Sequence, residues 1–184
     1  MKSGKNNLLK LSMAEANKWI RYGLKKKEED EINILLSEGN EDILMESFHK
    51  KLEFGTGGMR GLIGIGSNRI NSYTISLATQ GLCNYLNKVI DGNKSAVIAY
   101  DSRRFSKEFG NQTAKIFSAN NIKSYIFSDL RPTPELSFAV RELNCSCGIV
   151  ITASHNPKEY NGYKVYWNDG GQITSPHDNN IISE

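Results

Sequence analysis

The chain has 184 residues, 39% hydrophobic and 23% charged, a composition that supports one domain with a real core. Its formal net charge of +3 is too small to make a nucleic-acid surface by itself. No apolar run approaches the roughly eighteen residues of a membrane helix, and the amino terminus lacks an export signal, so the expectation is a cytoplasmic protein that engages neither membrane nor nucleic acid. The three cysteines, Cys83, Cys145 and Cys147, sit among apolar neighbours, and no second Cys/His pair completes a zinc site. They read as buried free thiols.

Residues 1–54 read as a helical extension. Ser12 and Glu15 match a capping box, Leu11 can staple onto Ala16, and Ala16, Trp19, Ile20 and Leu24 recur at helical spacing. Lys25–Lys27 followed by Glu28–Glu31 reads as a solvated helix end. A turn at Glu38-Gly39-Asn40 precedes a second short helix, with Ile43, Leu44, Phe48 and Leu52 on one face. Residues 55–184 form the main domain. It opens on GTGGMRGLIGIG, Gly55 to Gly66, which reads as loop and irregular strand because interior glycine disfavours a helix by about 1 kcal/mol relative to Ala.

An alternation follows. Ile75 to Val89 has helical spacing, Ala96–Tyr100 is a strand, a helix starts near Ser106, and Tyr125–Phe127 is a strand. Thr133-Pro134 opens another helix, and Cys147–Thr152 is a buried strand. This order predicts an α/β fold, a three-layer α/β/α domain with a mixed, mostly parallel sheet. Too few residues separate Thr152 from the next strand, Tyr163–Trp167, for a helical crossover, so that strand is expected to be antiparallel. Asn168-Asp169-Gly170-Gly171 then reads as a hairpin turn toward Gln172 and Ile173.

Such sheets bind ligands beyond the carboxyl ends of their strands. Three segments lie there: Asp101-Ser102-Arg103-Arg104, Leu130-Arg131-Pro132-Thr133-Pro134, and Thr152-Ala153-Ser154-His155-Asn156-Pro157. In the last, Ser154 is either a hydroxyl presented to a cleft or a turn residue bonded to its own backbone. The surrounding A-S-H is not a nucleophile elbow, and Arg60 stands where a dinucleotide fingerprint needs glycine. The Gly55–Arg60 loop, including Thr56 and Gly58, can bring backbone N–H groups and a guanidinium to an anion, or can be a tight bend at a sheet edge. Arg103, Arg104, Arg131 and Lys164 add positive charge, which suits a phosphorylated ligand.

Thr152-Ala-Ser-His-Asn-Pro157, followed by Asn161-Gly-Tyr-Lys164, resembles the phosphoserine loop of the α-D-phosphohexomutases. Phe54-Gly-Thr-Gly-Gly-Met-Arg-Gly61 resembles their amino-terminal arginine loop. The stretch from Phe54 to Ile173, with Asn68-Arg69, Tyr100-Asp-Ser-Arg103 and Leu130-Arg-Pro-Thr-Pro-Glu-Leu136, looks like the bacterial phosphoglucomutase and phosphopentomutase-like branch. The resemblance implies that Ser154 carries a phosphoryl group, exchanges it with a sugar phosphate through a bisphosphate intermediate, and holds Mg2+ through its phosphate. It further implies that Arg60 contacts phosphate or substrate with Gly58 and Thr56, that His155 hydrogen-bonds in the site, and that Lys164 transfers a proton or stabilises charge. Arg103 would bind phosphate or, with Asp101, support the residues that contact the ligand. Glucose 1-phosphate and glucose 6-phosphate are the expected substrates, with glucose 1,6-bisphosphate as activator.

The family's D-G-D-x-D-R metal loop, sugar-specificity loop and terminal phosphate loop do not occur in these 184 residues. The expectation is therefore an amino-terminal domain whose remaining metal ligands and partner domains lie elsewhere in a longer chain, inactive alone. The alternative is a stand-alone regulatory or sugar-phosphate-binding module modified at Ser154.

Overall fold

The computed structural model describes residues 2–55 and 57–184. It begins with three helices, α1 (Lys2–Arg21), α2 (Lys26–Leu36) and α3 (Glu41–Phe48). Ala16, Trp19, Ile32, Leu44 and Phe48 form a buried cluster of their own, with Ile65 and Tyr73 of the main domain packed against it.

Four expectations fail in these helices. Ser12 does not cap a helix: α1 runs straight through it, and its buried hydroxyl donates to the Leu8 carbonyl at 2.9 Å. A serine can satisfy itself on the preceding turn, so its capping preference does not force a helix start. Leu11 is 59% exposed and staples nothing. The Lys25–Glu31 charge run starts α2 instead of ending a helix, with Glu28 Oε2 accepting from the Lys25 N–H at 3.1 Å. Carboxylates in a first turn oppose the positive end of the helix dipole. In α3 the buried face is Leu44, Met45 and Phe48, while Ile43 is exposed and Leu52 lies past the helix end.

The main domain contains β1 (Phe54–Gly55), β2 (Gly58–Leu62), α4 (Ser72–Val89), β3 (Ser95–Tyr100), α5 (Ser106–Ala119), β4 (Lys123–Ile126), α6 (Thr133–Glu142), β5 (Cys147–Ile151), β6 (Tyr160–Trp167) and α7 (His177–Ser183). The six strands form one sheet in the order β1-β2-β6-β5-β3-β4. β3 pairs parallel with β4 and β5, and the other three ladders are antiparallel, so β2, β3, β4 and β5 share one direction and only β1 and β6 oppose it. The short Thr152–Glu159 connection turns β6 back on β5, as its length requires.

Alternate residues of each strand serve opposite layers. Ile98, Ile149, Tyr163 and Val165 join Leu82, Leu86 and Phe117 of α4 and α5 in the larger core, while Val97, Ala99, Val150 and Tyr166 meet Leu136, Ala139 and Val140 of α6 on the opposite face. Gly148 permits that approach, since a Cβ there would lie 2.5 Å from Val140 Cγ2. The three cysteines are free and buried. Among the described residues no helix is long and apolar enough to cross a membrane.

Candidate active site

Opposed pairs across an antiparallel ladder share a face, and the β2–β6 register pairs Gly58 with Lys164 and Arg60 with Gly162. Arg60 and Lys164 therefore project from the same face as Tyr166, the face that α6 covers farther along the sheet. Gly57, Gly58, Arg60 and Lys164 line an open cleft of about 470 Å³ there. Gly58 has φ +141°, and a Cβ would collide with the Tyr163 carbonyl oxygen, so the close approach of the Gly-rich loop to β6 needs glycine. The Gly57 carbonyl accepts from Val165 N–H at 2.9 Å and from Gln172 Nε2 at 3.3 Å. Thr56, expected among the anion-binding residues, lies outside the described residues.

Ser154 follows the buried end of β5 and is exposed, with φ +55°. For a non-glycine residue this left-handed conformation is uncommon and concentrates at functional corners. Its N–H donates to Thr152 Oγ1 at 3.0 Å, while its own Oγ accepts from Lys164 Nζ at 2.6 Å. The hydroxyl is thus turned outward to a cation, not spent on the local backbone. Withdrawal from water, with the Arg60 guanidinium second, draws the Lys164 ammonium down from a lysine's ordinary value. Arg60 NH1 donates to Asn156 Oδ1 at 3.0 Å, which brings a second cation to the same loop.

The other expected residues fall into two groups. His155 is exposed and makes no hydrogen bond among the described residues. Arg131 lies elsewhere, paired with Glu135 Oε2 at 3.0 Å, and Arg104 is exposed over the Phe105 ring. Arg103 lines a space shared with Ser154 and Asn156 and is bonded to their loop: NH1 donates to the Pro157 and Tyr160 carbonyls, NH2 to those of Ser154 and Asn156, and Nε faces Asp101 Oδ2. Four of its five donors are thus bonded to the loop and the fifth faces a carboxylate, an arrangement that suits the supporting role expected of it with Asp101. Sequence reasoning missed two asparagines. Asn156 reads in sequence only as a turn former, although its side chain holds Arg60, and buried Asn161 donates to Ser106 Oγ at 2.9 Å. A polar residue at the start of a buried strand was the available signal for Asn161.

The family model for phosphoglucomutase/phosphomannomutase, alpha/beta/alpha domain I, matches residues 51–184. The chain belongs to this family. Human phosphopentomutase is 42% identical over 91% of the chain and 29% of its own length. Phosphoglucomutase of Staphylococcus aureus (strain MRSA252) is 48% identical over 71% of the chain and 23% of its own length. Among solved structures, a candidate phosphomannomutase from Thermus thermophilus has a TM-score of 0.67 at 29% identity, covering 73% of this chain and 30% of that one. The chain thus spans under a third of the relatives it matches, and corresponds to the amino-terminal domain of the superfamily.

Phosphohexomutase resemblance implies Mg2+ at Ser154, which requires oxygen donors nearby. Among the described residues no group of three or more His, Cys, Asp or Glu is placed to hold a metal ion, and the charged group bonded to Ser154 Oγ is the Lys164 ammonium. These residues do not fit a metal on their own.

Proposed function

We propose that Ser154 is the phosphoryl carrier of a phosphoglucomutase-type enzyme that interconverts glucose 1-phosphate and glucose 6-phosphate through a bisphosphate. The observation that carries this reading is the 2.6 Å contact between Lys164 Nζ and an exposed Ser154 Oγ on a left-handed corner. In its ammonium form Lys164 donates to Oγ and neutralises charge arriving there. Once it has shed that proton, the same contact lets Nζ take the hydroxyl proton as Oγ attacks phosphorus.

In that step the Oγ–P bond forms, the P–O bond to the sugar breaks, and the departing sugar oxygen takes up a proton. The bisphosphate on which that step acts forms first, when phosphorylated Ser154 passes its phosphoryl group to the free hydroxyl of the sugar monophosphate: the Oγ–P bond breaks, the new P–O bond to the sugar forms, and the proton of that hydroxyl ends on Ser154 Oγ. Phosphoserine adds about −1.5 to −2 charges at neutral pH, so Arg60 and Lys164 at this loop supply the opposing charge. Positioning and charge neutralisation account for most of the rate in such chemistry.

The test uses the full-length protein. Intact-mass spectrometry after incubation with glucose 1,6-bisphosphate should show one added phosphoryl group on Ser154, and Ser154→Ala should lower mutase turnover by on the order of 10⁴-fold. Wild-type turnover in Ser154→Ala would end the proposal.

A further inference from the structure

The polar chain behind the Ser154 loop has no part in the phosphoryl step described above, yet it is completely connected. Asn161 is buried at the start of β6, where its Oδ1 accepts from Gly162 N–H at 2.8 Å and its Nδ2 donates to Arg104 O and Ser106 Oγ. Ser106, also buried, donates through Oγ to Asp101 Oδ1 at 2.7 Å. That same oxygen accepts the Arg103 N–H at 2.9 Å, and Asp101 Oδ2 faces Arg103 Nε at 3.3 Å. The guanidinium is thereby aimed at the loop, where NH1 and NH2 bond four carbonyls at 2.7–3.0 Å.

Those four carbonyls belong to Ser154, Asn156, Pro157 and Tyr160, so one planar group spans the turn from β5 to β6. Two consequences follow for the reacting atoms. The Ser154 carbonyl is held while its backbone sits at φ +55°, the conformation from which Oγ reaches Lys164. The Asn156 carbonyl is held as well, and the side chain of that residue carries Arg60. A lysine has the charge but not the fork, and cannot bridge four oxygens in fixed directions.

We infer that Arg103 is the positioning residue of the site: by bonding the carbonyls of Ser154, Asn156, Pro157 and Tyr160 it sets Ser154 Oγ against Lys164 and, through Asn156, Arg60 toward the same point. It touches neither phosphate nor sugar. The inference rests on the proposed role of Ser154 for its kinetic consequence, whereas the geometric consequence stands by itself.

The experiment compares wild type, Arg103→Lys and Arg103→Ala in the full-length protein. Wild-type turnover and phosphoryl uptake at Ser154 first test the proposed function separately. Given those, both variants should lose on the order of 10²-fold in kcat with KM changed less than about threefold, because a misplacement near 1 Å costs that much. Added guanidinium should restore at least about tenfold in Arg103→Ala and nothing in Ser154→Ala. Independently of turnover, amide hydrogen exchange over residues 153–160 should quicken in Arg103→Lys while β3 and β5 keep their protection. Unchanged kcat in both variants, a rise in KM with kcat retained, exchange quickened throughout the domain, or no rescue by guanidinium would each overturn the inference.

Discussion

At the residue scale, the cations near Ser154 differ in what they bond. Arg103 is engaged by carbonyls and Asp101, and Arg104 and Lys158 line the space beside Ser154, whereas Lys164 Nζ reaches Ser154 Oγ itself and Arg60 reaches Asn156 of the same loop. The two are coupled. Arg60 is the secondary cause of the lowered Lys164 pKa, after desolvation, so Arg60→Gln removes a repulsive positive charge and lets that pKa rise toward its ordinary value. If neutral Lys164 takes the serine proton, the acid limb of the kcat profile belongs to it. In the full-length enzyme that limb should move to higher pH in Arg60→Gln; an unmoved limb would remove Lys164 from the proton transfer. Stability follows the same sign. A lysine whose folded pKa is depressed opposes folding while it is charged, and this penalty is fully present below the folded pKa and fades as pH rises through it.

At the element scale, the site depends on an antiparallel ladder that glycine makes possible. β2 lies against β6 from Gly58↔Lys164 to Leu62↔Tyr160, and this ladder sets Arg60 and Lys164 on one face. Gly58→Ala puts a methyl group into the Tyr163 carbonyl and holds an L-residue at φ +141°. The expected cost is about 1–3 kcal/mol of stability, with more loss of turnover than that destabilisation explains, because the ladder must spread where Lys164 sits. Denaturant unfolding beside a turnover assay on the full-length protein measures both, and a fully stable, fully active Gly58→Ala would show that the ladder tolerates spreading. The helical extension teaches a complementary lesson. Its apolar spacing correctly marks Ala16 and Trp19 as buried but does not locate its boundaries, since a buried Ser12 bonded within its own helix is indistinguishable by pattern from a cap.

At the scale of the whole molecule, this chain presents an exposed Ser154 hydroxyl and two cations, with no cluster of carboxylates placed to complete a metal site among the described residues. The expected outcome of titrating Mg2+ into these 184 residues is therefore weak binding, with Kd on the order of millimolar or weaker. Isothermal calorimetry decides it, and micromolar binding would mean that the donor set has been misjudged. The α/β/α layering is what exposes the site. α6 covers only part of its face, so the β2–β6 corner stays open beside the Ser154 loop.

Local sequence suffices for the strand and helix alternation of the main domain, the reversal at β6, and the loop that carries Ser154. These follow from periodicity, connection length and turn chemistry, all of which act over a few residues. Which cation meets the hydroxyl, and which ones hold the scaffold, is settled by long-range closure alone. Arg60 and Asn156 are 96 positions apart, and Arg103 lies 51 to 57 positions from the carbonyls it holds. The donors of an arginine can be assigned only when the competing acceptors have been brought into reach, and that happens when the sheet closes.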